Sequence, residues 1–427
     1  MSNIAVIGTG YVGLTSGACF ARLGHVVVCV DVDQSKIERL NNGIMPIVET
    51  GIEALVAEGV TAGRLSFTTE ITDAVKTADV VFLCVPTPEG DDGSADLSYV
   101  QSAARSISSL LKSGAIVVNK STVPVGSTQV VERELQRSDI PVVSNPEFLR
   151  EGSAIHDFLH PDRIVVGSVN REAALAVAAL YESVGAPVVV TDPASAETVK
   201  YAANAFLATK ISFINAVAAI CEGVGADIRD VVLGLGYDKR IGHEFLRPGP
   251  GWGGSCFPKD TKALVKIAEG AGYDFGLLKG VITVNDQQYE RIVSKIRLAC
   301  DGTLQGKTIA IWGITFKAGT DDQRDSPSIE VALRLLDQGA HLKMHDPTVV
   351  EVPRLLAGKN VSIFDTALDA ASGADVIAVL TEWDEFRWLN PVEIGKVVKS
   401  HHIVDGRNHL DRSEWVRSGF SYEGIGR

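Results

Sequence analysis

Cys256 lies inside residues 245–262 (FLRPGPGWGGSCFPKDTK), where five of the six residues 248–253 are glycine or proline. Those residues exclude a regular element upstream of the thiol, and alanine and leucine resume helical spacing after Asp260. A thiol at a loop-to-helix junction meets unpaired backbone N–H groups and the positive end of a helix dipole, which favour the thiolate and a nucleophilic role. The glycines also let a ligand approach the backbone. A turn around a buried structural cysteine fits the same residues. Lys200 and Asn204 stand four apart in a run, 196–222, that holds neither glycine nor proline. One helix face therefore carries both. A lysine and an amide on an apolar face are costly to bury without a ligand, and together they suit stabilisation of an oxyanion. At a helix edge the same pair would simply reach solvent.

A second constellation is at the N-terminus. Gly8-Thr9-Gly10-Tyr11-Val12-Gly13 follows an apolar strand at 4–8 and opens a helix to about residue 23, and a strand at 26–30 ends in Asp31. This is the dinucleotide fingerprint in its required context. Gly8 makes the tight turn, Gly10 admits a pyrophosphate to the helix N-terminus, and Gly13 allows close packing of helix on strand. Asp31 suits a ribose 2′-hydroxyl and repels a 2′-phosphate, so the cofactor expected is NAD. Lys36 is read either as reaching that cofactor or as a solvated lysine.

These residues need elements to hold them. Continuous apolar runs at 65–69, 80–85, 115–121, 142–144, 164–167 and 188–191 read as buried strands, many separated by helical stretches. The pattern predicts a parallel, doubly wound sheet, in which ligands bind beyond the carboxyl ends of the strands. Thr87, Thr122, Glu147 and Glu151 all follow such ends and are expected to share one crevice. Strand and helix alternation restarts at 308–313 and continues at 342–344, 361–364, 376–380 and 403–404, with no glycine fingerprint. Lys317, Arg324 and Arg407 follow strands there and suit a phosphate-bearing ligand. The fold class expected is α/β: two Rossmann-like doubly wound parallel-sheet domains joined by a long central helix and a small helical domain. The boundaries expected are 1–195 for an NAD-binding domain, 196–300 for a central helical, dimerising domain with the cysteine loop, and 301–427 for an α/β domain that takes a phosphate-bearing ligand.

Composition narrows the partners. The chain has 427 residues, 45% apolar and 22% charged, with a net charge of −13. An acidic chain of this kind is not built for nucleic acid or an anionic membrane. Residues 1–9 run directly into a strand, so no signal peptide is expected, and no apolar run reaches the about 18 residues that span a bilayer. Six cysteines are scattered without a CxxC pair, and no histidine stands at metal-ligand spacing. A reduced, cytoplasmic protein without a metal follows, with Cys19, Cys29, Cys84, Cys221 and Cys300 as inert core thiols.

GTGYVG, STVPVGS, NPEFLREGSA, KYAANAFLATKISFINA, GWGGSCFPKD and FKAGTDDQRDSPS occur in that order. Over essentially its whole length the chain resembles the nucleotide-sugar 6-dehydrogenases, the UDP-glucose/GDP-mannose dehydrogenase family, and most of all the branch acting on UDP-glucose. The resemblance implies four-electron oxidation of a nucleotide sugar to its uronate with two NAD⁺. Cys256 would pass through a thiohemiacetal and a thioester. It further implies that Lys200 and Asn204 stabilise oxyanions and that Asp260 orients a water or adjusts thiol protonation. Thr122 would position a water in the first oxidation, and Glu147 would be the general base for thioester hydrolysis. Tyr11, Val12, Thr87, Glu151 and Arg324 would contact the cofactor. Phe148, Leu149, Phe245, Leu246, Arg247, Gly249, Gly253, Phe316, Lys317 and Arg407 would hold the nucleotide sugar, together with Glu147, Glu151, Lys200 and Asn204. Arg240 would reach a neighbouring subunit's substrate, which implies a homodimer. Three competing readings remain: the same chemistry on GDP-mannose or UDP-N-acetylmannosamine, a two-electron hydroxyacid dehydrogenase, and a non-catalytic nucleotide-sugar sensor.

Overall fold

The computed structural model describes residues 1–90, 93 and 95–427. The chain forms two compact units, one of Met1–Ala203 with Lys262–Ala271 and one of Asn204–Thr261 with Gly272–Arg427.

The first unit is built on eight strands: β1 (Asn3–Ile7), β2 (Val26–Val30), β3 (Leu65–Thr68), β4 (Val80–Leu83), β5 (Ile116–Asn119), β6 (Val142–Ser144), β7 (Ile164–Gly167) and β8 (Val188–Thr191). Their order is β3-β2-β1-β4-β5-β6-β7-β8. Alternate residues of one strand feed opposite layers. Val80 and Phe82 join Phe20, Phe158 and Tyr181 on one face, while Val81 and Leu83 join Ile107, Val131 and Leu135 on the other. Burying each of these large side chains contributes about 1.5–3 kcal/mol relative to exposure. Two expectations need correction. The sheet is not wholly parallel, because β6 and β7 pair antiparallel through Ser144 and Gly167. Their connection carries a loop and only one six-residue helix, Ala154–Leu159, and returns to the sheet from the end at which it left. Nor is β8 buried: Val188 and Val189 are exposed on this edge strand.

The second unit holds β9 (Thr308–Trp312), β10 (His341–His345), β11 (Val361–Ile363), β12 (Val376–Val379), β13 (His402–Asp405) and β14 (Ser421–Glu423). The order is β11-β10-β9-β12-β13-β14, with every pairing parallel. Sequence periodicity stops at β13, because β14 has three residues of which only Tyr422 is buried. The two units repeat one local geometry. Gly8 (φ 100°) and Gly313 (φ 93°) each follow the first strand, and their N–H groups donate to Val30 O at 2.7 Å and His345 O at 2.8 Å. Each neighbouring strand is followed by an aspartate, Asp31 or Asp346, that accepts N–H bonds from the turn.

A 32-residue helix, Pro193–Val224, passes from the first unit into the second, and a 14-residue helix, Phe257–Gly270, passes back. The long helix outruns the expected 196–222 at both ends. It buries Tyr201, Ala208, Ile214 and Ala218 on one side. On the other, Val199, Phe206, Phe213 and Ile220 stand seven apart and 36–65% exposed. By length and composition alone this helix is apolar enough to cross a membrane. A search for an unbroken apolar run misses it, because Lys200, Asn204 and Lys210 interrupt the run.

Candidate active site

The glycine turn comes first. A Cβ at Gly13 would stand 1.9 Å from Gly8 O, whereas at Gly10 it would meet nothing within 4 Å. Close packing thus fixes Gly13, and Gly10 leaves the helix N-terminus open to a pyrophosphate. Asp31 Oδ2 accepts from Thr9 N (2.8 Å), Thr9 Oγ1 (2.7 Å) and Lys36 Nζ (3.1 Å). Burial alone would raise the Asp31 carboxyl, but these donors and Asp33 N–H hold it below its ordinary value. It therefore stays anionic, as a ribose hydroxyl requires. Lys36 is not a free solvated lysine: its ammonium is paired with Asp31 at the end of β2. Tyr11 bridges two loops: its hydroxyl donates to the Glu49 carboxylate and accepts Gly152 N–H at 2.6 Å. Burial, followed by Glu49, pushes its phenol far above the ordinary range. Val12 is half-buried behind it.

Of the four residues expected to share a crevice, Thr87 and Thr122 meet beyond the ends of adjacent strands β4 and β5. Thr87 Oγ1 donates to Thr122 O at 2.9 Å, and both residues are buried. Beyond β6, Glu147 (5% exposed) accepts Lys200 Nζ (4% exposed) at 2.8 Å on Oε1 and Leu149 N–H at 2.7 Å on Oε2. Burial alone would raise the Glu147 carboxyl; the charge and hydrogen bond of Lys200, then Leu149 N–H and Lys120, lower it below the carboxylate norm. The Phe148 ring has the Arg163 guanidinium 3.6 Å from its centroid. Glu151 lies close enough to Tyr11 to raise its phenol further.

In the second unit, Asp260 N donates to Cys256 O at 2.9 Å, which makes Cys256 the N-cap residue of helix Phe257–Gly270. Pro258 is tolerated there because a first-turn residue needs no N–H partner. The thiol is half-buried, with Ser255 Oγ 3.6 Å from Sγ. The other five cysteines are buried, and burial raises the Cys19 and Cys84 thiols to about 12. One helical turn beyond Cys256, the fully buried Asp260 accepts Asn204 Nδ2 at 2.6 Å and Lys259 Nζ at 2.6 Å. Asn204 is one turn beyond Lys200 on the long helix. Two bonded pairs result, Lys200 with Glu147 in the first unit and Asn204 with Asp260 in the second.

The cysteine loop is held by buried amides. Gly249 N donates to Asn215 Oδ1 and Gly249 O accepts from Gln288 Nε2, both at 2.8 Å. Trp252 N donates to Asn285 Oδ1 at 2.8 Å, and its indole N–H to Ser212 Oγ at 2.9 Å. The loop glycines serve packing as well as ligand approach. A Cβ at Gly253 would lie 1.9 Å from Asp325 O, and one at Gly254 2.8 Å from the Phe316 ring. Leu246 is buried, Arg247 is exposed, and Phe245 adopts φ 60°. Arg407 ties the ends of β9, β12 and β13: Nη2 donates to Phe316 O at 3.0 Å and Nε to Leu380 O at 2.8 Å. Gly249 lies against the same guanidinium, and Lys317 Nζ is 5.5 Å from the Phe316 ring centroid. Arg324 pairs with Asp322 in its own loop, and Arg240 pairs with Asp238 with most of its side chain in solvent.

Comparison with known proteins decides what this arrangement belongs to. Residues 2–185 match the NAD binding domain of the UDP-glucose/GDP-mannose dehydrogenase family, 194–287 its central domain and 310–412 its UDP binding domain. The chain belongs to the UDP-glucose/GDP-mannose dehydrogenase family. It is an NAD-dependent oxidoreductase of that family. It is 46% identical over 432 residues to UDP-glucose 6-dehydrogenase TuaD of Bacillus subtilis (strain 168), covering 100% of this chain and 94% of that protein. It is 47% identical over 438 residues to a UDP-glucose 6-dehydrogenase of Rhizobium meliloti (strain 1021), covering 100% and 99%. A solved UDP-glucose dehydrogenase from Pyrobaculum islandicum superposes with a TM-score of 0.91 at 38% identity, covering 100% and 98%.

Within this family member, motif reading passed over several buried polar residues. Lys120 acts on Glu147 through its charge and donates to Asn145 and Tyr181, and Asn215, Asn285 and Gln288 clamp the cysteine loop. Only Lys120 carries a sequence signal of its own: a lysine directly after a mostly apolar strand.

Proposed function

We propose that this chain oxidises UDP-glucose to UDP-glucuronate, consuming two NAD⁺ and one water, through covalent chemistry on Cys256. The observation that carries the reading is the thiol at a helix N-terminus one turn from Asp260, which is bonded to Asn204; the bonded pair Lys200–Glu147 supports it. NAD supplies the hydride acceptor in both oxidations; Gly8, Gly10, Gly13 and Asp31 would hold it, with Tyr11, Val12, Thr87, Glu151 and Arg324 around it. In the first oxidation the sugar's 6-hydroxyl proton leaves through water ordered by Thr122, and the carbon loses a hydride to become an aldehyde. Cys256 thiolate adds to that aldehyde carbon, and the resulting alkoxide is stabilised by Lys200 and Asn204. Loss of the second hydride gives a thioester on Sγ. Glu147 then takes a proton from water as its oxygen attacks the thioester carbon. The C–S bond breaks, and the carboxylate and the Cys256 thiolate are released.

The nucleotide sugar would be gripped by Phe148, Leu149, Phe245, Leu246, Arg247, Gly249, Gly253, Phe316, Lys317 and Arg407. The domain reading 1–195, 196–300 and 301–427 belongs to this proposal, as does a cytoplasmic location. A homodimer is proposed through the long helix, supported by its exposed Val199, Phe206, Phe213 and Ile220, with Arg240 directed to the partner. The test is NADH formed per sugar consumed with UDP-glucose, GDP-mannose and UDP-N-acetylmannosamine. Two NADH with UDP-glucose and little turnover of the others is expected; one NADH per sugar, or preference for another sugar, overturns the assignment.

A further inference from the structure

Lys120 is a buried cation that the reaction scheme leaves unused. It follows β5 directly, is 4% exposed, and donates to Asn145 Oδ1 (3.2 Å), Asn145 O (3.4 Å) and Tyr181 OH (3.2 Å), all uncharged. Tyr181 OH in turn donates to Asn145 Oδ1 at 2.6 Å, and Asn145 Nδ2 donates to Val165 O at 2.8 Å, so both acceptors are fixed. The charged or ionisable groups acting on Lys120 are Cys84 beyond β4, Glu147 beyond β6 and Lys200 on the long helix. With Cys84 a neutral thiol, the ionised group carries two positive charges and one negative. A standing surplus of one buried positive charge is unfavourable in the resting protein. It becomes favourable when a negative charge develops nearby, as at each tetrahedral step.

In the resting arrangement Lys200 Nζ is spent on Glu147 Oε1. To meet an oxyanion it must release that carboxylate, and a buried carboxylate without a cation takes up a proton and ceases to be a base. We propose that Lys120 is a positioning residue for thioester hydrolysis: its fixed ammonium keeps Glu147 anionic while Lys200 turns to the oxyanion. The lowering of Lys120 to about 8, by burial above all, agrees with a cation held without a paired anion. The proposal rests on the reading of Glu147 as the hydrolytic base.

The experiment follows acid-quenched thioester on Cys256 by intact-protein mass, with turnover measured across pH, in Lys120→Met, Tyr181→Phe, Glu147→Gln and the Lys120→Met/Glu147→Gln double variant. Lys120→Met is expected to slow thioester breakdown at least about tenfold and to move the acid limb of the rate profile up by about one pH unit. Tyr181→Phe, which keeps the charge but loses one acceptor, should leave that limb in place. In the Glu147→Gln background, Lys120→Met should add little. Should Lys120→Met fail to fold, Lys120→Gln carries the same comparison. A Lys120 variant with the parent's acid limb, or one matched by Tyr181→Phe, overturns the proposal alone while slow Glu147→Gln still upholds the hydrolytic base. Unslowed thioester breakdown in Glu147→Gln overturns both.

Discussion

At the residue scale, the proposed chemistry rests on Cys256, the one half-buried thiol beside five buried ones. Cys256→Ser should lose uronate formation by at least about 10³-fold, because serine lacks the thiolate that forms the intermediate. Counting NADH per sugar in that variant checks it, and full two-NADH turnover would sink the thioester route. Lys120 gives a stability prediction with a definite sign. Its folded value, about 8, lies below the ordinary 10.5, so between these the unfolded chain binds more protons. Stability from this group therefore rises with pH across that window, and its penalty is fully present below pH 8. Denaturant unfolding should find the wild type gaining on Lys120→Met from pH 8 to 10.5. A constant difference would contradict it.

At the element scale, the cysteine loop is held as a fixed piece of backbone. Gly253→Ala would drive a Cβ to 1.9 Å from Asp325 O, a backbone atom that cannot swing aside. A loss of at least about 2 kcal/mol is expected, with activity falling alongside. Gly234, within helix Ile228–Gly236 and with nothing within 4 Å of its Cβ position, is the control. Gly234→Ala should be neutral or stabilising by up to about 1 kcal/mol. Thermal melts of the two variants separate the cases. The run of loop glycines was legible in the sequence; its partners, Phe316 and Asp325 some 60–70 positions on, were not.

At the scale of the whole molecule, the long helix presents Phe206 (65% exposed), Phe213 (56%) and Ile220 (61%) in one stripe. Exposed apolar groups at a seven-residue spacing are the pattern of a helix seam. Phe206→Asp with Phe213→Asp should shift the proposed dimer to monomer, read by light scattering. A monomeric parent protein would remove the dimer instead. The charge of −13 explains none of this: cations are concentrated locally, at Lys200, Lys120 and Arg407, where the backbone and buried carboxylates fix them.

The glycine turn, Asp31, the alternation of strands and helices and the i, i+4 pair Lys200–Asn204 were all readable from order alone. Each is a local constraint: spacing on one helix, or a turn that only glycine can make. The antiparallel β6–β7 pair, the exposed edge β8 and the three-residue β14 were not readable, because strand direction and edge position depend on which neighbours a strand finds. Nor were the contacts of Lys36 with Asp31 and Tyr11 with Glu49 and Gly152. Cys256 and its place at a loop-to-helix junction could be singled out from order, but the bond of Asp260 to Asn204 is a tertiary fact. Sequence determined which groups are available for the proposed chemistry; packing decided which of them are buried, and burial with its hydrogen bonds sets the charge each one holds.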